Sequence, residues 1–192
     1  MAPMDKWNRV KWTEAAQIAE RLDWDQDLGA DARAAPRDFF VKLRTVGRLN
    51  DAVFFLGQAL PRYETVAWAA RAVLDTPRPT PSRGPDAEAL KAALLWVQDP
   101  SDARRRAAFD AAGKARTVGA ERLVALAAFF SGGSLTPAEV QPVQAPNESA
   151  GLFAAGAVLL AAAESGDQDA ALNRALDAGS MMAARGVGAG AA

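Results

Sequence analysis

Three consecutive arginines, Arg104-Arg105-Arg106, form the densest charge run in the chain. Together with Arg62 they are the residues best suited to hold an anion, because a guanidinium presents a planar fork of donors to a carboxylate or phosphate. Successive helix positions lie about 100° apart, so three neighbours cannot all face one ligand. Asp99, Asp102 and Asp110 stand nearby, and structural ion pairing is the plainer expectation for the run. Ser131-Gly132-Gly133-Ser134 resembles a phosphate loop only superficially. Phosphate cradles precede a helix and usually follow a strand. Here the glycines follow an apolar helical stretch and no lysine comes next, so they read as a C-terminal turn. Asp23, Asp25, Asp27 and Asp31 alternate like a calcium loop. Such a loop needs Gly at its sixth position and Glu at its twelfth. Counted from Asp23 those are Leu28 and Ala34, and the spacing fails.

Five tryptophans are many for this length. Trp68 and Trp96 fall within apolar helical stretches and are expected in the core. Trp7, Trp12 and Trp24 lie where the hydrophobic pattern is weak. An exposed Trp is favoured at partner interfaces, so these three are candidate partner-binding residues. The plainer reading is an N-terminal arm packed onto the body. Acid–base chemistry remains open to Asp, Glu, Lys and Tyr63, but no spacing marks a site.

Composition narrows the chemistry further. The chain has 192 residues and contains neither His nor Cys. That excludes Ser-His-Asp and Cys-His catalysis, disulfides, Fe–S clusters and His- or Cys-ligated zinc. The net charge is -1, from 22 basic and 23 acidic residues. A near-neutral chain is a poor candidate for holding nucleic acid or an acidic membrane through its overall field. No cofactor or metal is implied. The N-terminus lacks a basic region followed by an apolar run, and the longest apolar stretch, Leu152 to Ala163, is shorter than the roughly 20 residues of a span. A cytoplasmic protein is the expectation.

The elements that must position these residues are helical almost throughout, because the apolar period is near 3.6 and no stretch alternates like a strand. Thr13 reads as the cap of a first helix with Ala15, Ile18, Ala19 and Leu22 on one face. A connector follows to Ala35. Pro36 opens a second helix that stops at Gly47, a third carries Leu49, Ala52, Val53, Leu56 and Leu60, and Pro61 opens a fourth. Thr76 to Pro85 holds four prolines and reads as a stiff exposed linker. Asp86 and Ser101 or Asp102 are expected to start the next two helices. Glu121 to Phe130 is apolar nearly all round, which marks a central helix. A loop with prolines at 137, 142 and 146 leads into a second core helix from Glu148 to Glu164, and a short last helix spans Gln168 to Leu176. The expected fold is all-α, a single domain built as an irregular bundle or stack of eight or nine helices. Residues 1–35 form an arm and first helix, 36–180 the helical domain, and 181–192 a flexible tail. The pairs Phe39-Phe40, Phe54-Phe55 and Phe129-Phe130 hold no fixed period, so no regular repeat is established.

Several phrases, in order, carry a resemblance. They are Ala59-Leu60-Pro61-Arg62 with Val66-Ala67-Trp68-Ala69, then Ala93 to Val97 with Asp99-Pro100 and Arg105-Arg106-Ala107. The Ala127 to Leu135 stretch, Pro137, Pro142 and Ala157 to Ala161 complete the set. Over about Pro36 to Ala163 the chain resembles an uncharacterised family of bacterial helical domains of unknown function. The resemblance implies a helical protein with no assigned enzymatic activity, some members being encoded near type VI secretion genes. It implies an adaptor or chaperone role and carries over no catalytic residue. The function expected is thus a non-enzymatic protein-interaction module, binding a secretion component or effector through Trp7, Trp12 and Trp24 or through the groove at Ser131, Gly132 and Gly133. The alternative is a small-molecule anion binder, or an enzyme, using Arg62, Arg104, Arg105 and Arg106 with carboxylates.

Overall fold

The computed structural model describes residues 6–24, 28–115, 119–137 and 139–187. Nine α-helices occur among them, in the order α1 Ala15–Ala19, α2 Pro36–Thr45, α3 Leu49–Ala59, α4 Arg62–Asp75, α5 Pro85–Gln98, α6 Asp102–Lys114, α7 Ala120–Phe130, α8 Ser149–Ala163 and α9 Gln168–Arg185. Short 3₁₀ turns cover Glu20–Leu22 and Gly29–Arg33. The described residues contain no strand, only an isolated antiparallel bridge between Ser134 and Gln144. None of their helices is long and apolar enough to cross a membrane.

Helix α8 is the hub. It is alanine-rich and apolar on every side, and it packs against α3, α4, α7 and α9. Small side chains let helix axes approach closely. One close crossing is α3 on α8, where Gly57 meets Gly151. A Cβ on Gly151 would fall 2.7 Å from the Gly57 carbonyl oxygen and 2.6 Å from Gln58 Nε2. Trp68 of α4 is fully buried, and its indole N–H donates to the Ala175 carbonyl at 2.7 Å, tying α4 to α9.

Punctuation follows local chemistry with some shifts. Pro36 is the first residue of α2, and Gly47 ends that segment at φ 76°, in the left-handed region. Ser101 caps α6 by accepting from the Arg104 amide. Glu14, not Thr13, caps α1, and Gln17 Oε1 accepts from the amides of both Thr13 and Glu14 at 2.9 and 3.1 Å. Gly84 and Pro85, rather than Asp86, begin α5.

Two expectations are corrected outright. The last helix does not stop at Leu176 but runs to Arg185, and Ala183 and Ala184 are buried, so residues 181–185 belong to the body and not to a tail. The remainder of that tail, 188–192, lies outside the described residues. The proline-rich linker is not exposed throughout either. Arg78 turns inward between Glu121 of α7 and Glu164 after α8.

Candidate binding cleft

The N-terminal arm packs onto the body, which separates the three candidate tryptophans. Trp7 is buried, its ring centroid 5.0 Å from that of Phe40 and its N–H donating to Ser180 Oγ at 3.1 Å. It offers no face to a partner, which corrects the expectation of an exposed residue. Trp24 is half-buried and stacks on Phe55. Trp12 is also half-buried, but it borders a cleft. Its N–H donates to the Gln58 carbonyl at 3.2 Å, which fixes the ring at the C-terminal end of α3.

Three helix ends converge on this cleft: the C-terminus of α3, the N-terminus of α4 and the N-terminus of α8. It encloses about 670 Å³ and is lined by Lys11, Trp12, Arg21, Gln58, Arg62 and Asn147, together with residues 59–61. Lys11 Nζ lies 4.4 Å from the Trp12 ring centroid and the Arg21 guanidinium carbon 5.5 Å, so the indole gathers two cations through its face. Arg62, the first residue of α4, brings a third.

The two arginines of the cleft differ from those that pair with carboxylates. Arg9, Arg44, Arg48, Arg71, Arg78, Arg105 and Arg106 each pair with a carboxylate. The hydrogen bonds of Arg21 and Arg62 go to neutral oxygens. Arg21 donates to Gln58 Oε1 at 3.1 Å and to the Asn147 main-chain oxygen at 2.5 Å. Arg62 donates to Asn147 Oδ1 at 2.6 Å and to the Ser131 carbonyl at 3.4 Å. Partial burial lowers the Arg21 pKa from its usual value, Glu148 acts against that, and the charge of Arg62 adds to it. Burial, rather than repulsion from Arg62, is thus the main cost of the Arg21 charge.

The arginine triplet divides by helix geometry. Arg105 points inward and is buried, donating to Asp102, to the Phe129 carbonyl at 2.9 Å and to the Ser134 carbonyl at 2.7 Å. Arg106 donates to Asp102 and to the Thr136 carbonyl at 2.9 Å. Arg104 is on the other side, with Asp99 3.8 Å away. These hydrogen bonds lower the Asp102 pKa from its usual value. The pair Arg105 and Arg106 therefore straps down the loop between α7 and α8. Ser131 ends α7 with its hydroxyl donating to the Ala128 carbonyl, and Gly133 lies at φ 68° over the Arg105 guanidinium. Ser131, Gly132 and Gly133 line a second, more open hollow with Arg62, Tyr63 and Trp96. Arg62 is thus shared between the two concavities. Asp25 and Asp27 of the acidic cluster lie outside the described residues, and Asp31 pairs with Lys42.

The profile of a family described as a family of unknown function, DUF6931, matches residues 39–183. That stretch is well over half of the chain. The chain belongs to the DUF6931 family. No curated protein and no solved structure matches it. Within the DUF6931 stretch lie Gln58, Arg62 and Asn147, whereas Lys11, Trp12 and Arg21 precede it. The cleft is therefore assembled across the edge of the family region. Of its six side chains the sequence marks only Trp12 and Arg62. Lys11, Arg21, Gln58 and Asn147 carried no signal, because each is an ordinary polar residue until the fold brings it to one place.

Proposed function

We propose that this DUF6931 protein is a non-enzymatic protein-interaction module, an adaptor or chaperone, and that the Trp12 cleft is where it receives its partner. The observation that carries this reading is the cleft itself. It joins an aromatic face, three cations and two side-chain amides on a preformed rim of helix ends. Trp and Arg are the residue types that dominate binding energy at interfaces. Two carboxylates are buried among the described residues: Glu64 pairs with Arg9, and Glu121 favours no acid–base role. Burial would raise the Glu121 pKa, but hydrogen bonds from Ser82, its own amide and Arg78 outweigh it, so Glu121 is held below the usual range and is ionised at neutral pH.

The setting we propose is the cytoplasm, with a secretion component or effector as the partner. Support for that setting comes from the resemblance to helical proteins encoded near type VI secretion genes. The near-neutral net charge speaks against nucleic acid as the partner. Affinity purification of the tagged protein from its own cells at low salt tests the reading. A single stoichiometric protein partner is the expected result. Recovery of the protein alone would overturn it and favour a small anionic ligand in the same cleft.

A further inference from the structure

We infer that the Trp12 cleft contains a carboxylate site whose place Asn147 occupies, and that an acidic segment of a partner protein binds there by displacing Asn147 from between Arg21 and Arg62. The inference rests on the interaction-module reading for its ligand and on the geometry of this chain for its site.

The geometry is specific. Arg21 and Arg62 each direct an Nη2 donor at the same residue, one to the main-chain oxygen of Asn147 at 2.5 Å and one to its side-chain oxygen at 2.6 Å. Two oxygens on one residue, bridging two guanidiniums, are what a carboxylate would supply. Asn147 supplies them without the charge. Hydrogen bonds from a guanidinium to an ionised oxygen are roughly twice as strong as those between neutral partners. A carboxylate in that position also offsets the mutual repulsion of two neighbouring cations.

The partner chemistry follows from the rest of the lining. Lys11, held over the Trp12 ring, is placed to meet a second acidic group. Gln58 is buried, and its amide holds Arg21 in place by accepting from it while donating to the Glu148 carbonyl. The cavity, about 670 Å³, is large enough for a short stretch of chain. An acidic peptide matches the charges of Lys11, Arg21 and Arg62, which outnumber the one carboxylate acting on Arg21, that of Glu148.

Asn147 can move without dismantling the core. It stands between Pro146 and Glu148, at the end of the loop that enters α8. Its neighbour Glu148 is anchored separately, through a bond from Gln58 Nε2 to the Glu148 carbonyl at 2.8 Å. Upstream, Arg105 and Arg106 hold the loop at Ser134 and Thr136. The device is local: the Asn147 side chain turns out and Arg21 releases the main-chain oxygen.

The test is calorimetric titration of the full chain at low salt with an acetylated glutamate hexapeptide. A glutamine hexapeptide and inorganic phosphate serve as comparisons. The wild type should bind the glutamate peptide and not the glutamine peptide. Arg21→Gln and Arg62→Gln should each weaken binding by about tenfold, the loss of one charge-assisted contact. Asn147→Ala should tighten it by about tenfold, because the competing oxygen of the side chain is gone. Asn147→Asp should abolish binding and raise Tm, by placing a fixed carboxylate between the arginines. Weaker or unchanged binding in Asn147→Ala would overturn the plug, since a merely structural Asn147 gives that result. Binding of phosphate with none of the glutamate peptide would overturn the carboxylate assignment. The two readings fail separately. A cellular partner whose capture ignores Arg21→Gln and both Asn147 variants sinks this inference alone. Peptide binding as stated, with no cellular partner recovered, sinks only the interaction module.

Discussion

Arg78 Nη1 lies 2.5 Å from Glu121 Oε1, and both side chains are less than a tenth exposed. Removing one partner of a buried ion pair leaves the other charge uncompensated and costs about 3–5 kcal/mol, more than the pair itself contributes. Arg78→Met should therefore destabilise the fold by about 3 kcal/mol in urea unfolding. Arg78→Met combined with Glu121→Leu should recover much of that loss. A double variant no better than the single one would show that the pair does not act as a unit.

The same pair sets a pH dependence. Glu121 has a folded pKa below its ordinary value of 4.5. Its contribution is fully present above about that value and is lost as pH falls through the folded pKa. Asp102, with Arg105 and Arg106, acts in the same direction. Arg78, pulled down by burial but raised more by Glu164 and Glu121, stays charged throughout this range. The Tm of the wild type should thus decline from pH 5 downward. Glu121→Gln should start lower and decline less steeply. Parallel slopes in the two proteins would remove Glu121 from the explanation.

Backbone proximity at the α3–α8 crossing gives a sharper contrast. Gly151→Ala would press a methyl group against the Gly57 carbonyl and Gln58, forcing the helices apart at a cost of about 1–3 kcal/mol. Gly113, in the last turn of α6, has open space around its missing Cβ. Gly113→Ala should stabilise by about 0.5–1 kcal/mol. Thermal melts of the two variants should move in opposite directions.

Trp7 and Trp12 should separate anchoring from binding. Trp7→Ala removes a buried ring and its bond to Ser180, and should cost about 3–5 kcal/mol. Trp12→Ala, at a half-buried position, should cost less and leave the circular dichroism spectrum unchanged. Equal destabilisation by both would make Trp12 one more anchor of the arm.

The helices were legible wherever proline, glycine or a capping side chain coincided with an apolar period, as at Pro36, Gly47, Pro61 and Ser101. Helix α9 continues nine residues beyond the expected end at Leu176, to Arg185. Gly179 lies mid-helix, and a Cβ there would meet Leu56 Cδ2 at 2.5 Å and Trp68 Nε1 at 2.8 Å. Its smallness serves packing against Trp68, which no local pattern discloses. The triplet Arg104-Arg105-Arg106 drew notice by density, yet its two inward members hold a loop. The cleft was only half visible for the opposite reason. Arg21 and Asn147 stand 126 positions apart in the chain, and neither belongs to a motif. What links them is the meeting of three helix ends, a tertiary fact.

The most direct measurement is affinity purification in parallel of the wild type, Trp12→Ala and Arg62→Gln from native cells, with each variant first shown to be folded by its thermal melt. A stoichiometric protein partner retained by the wild type and lost in both variants is the outcome expected of an interaction module working through this cleft. A partner held equally by all three proteins, or none held by any, would contradict it.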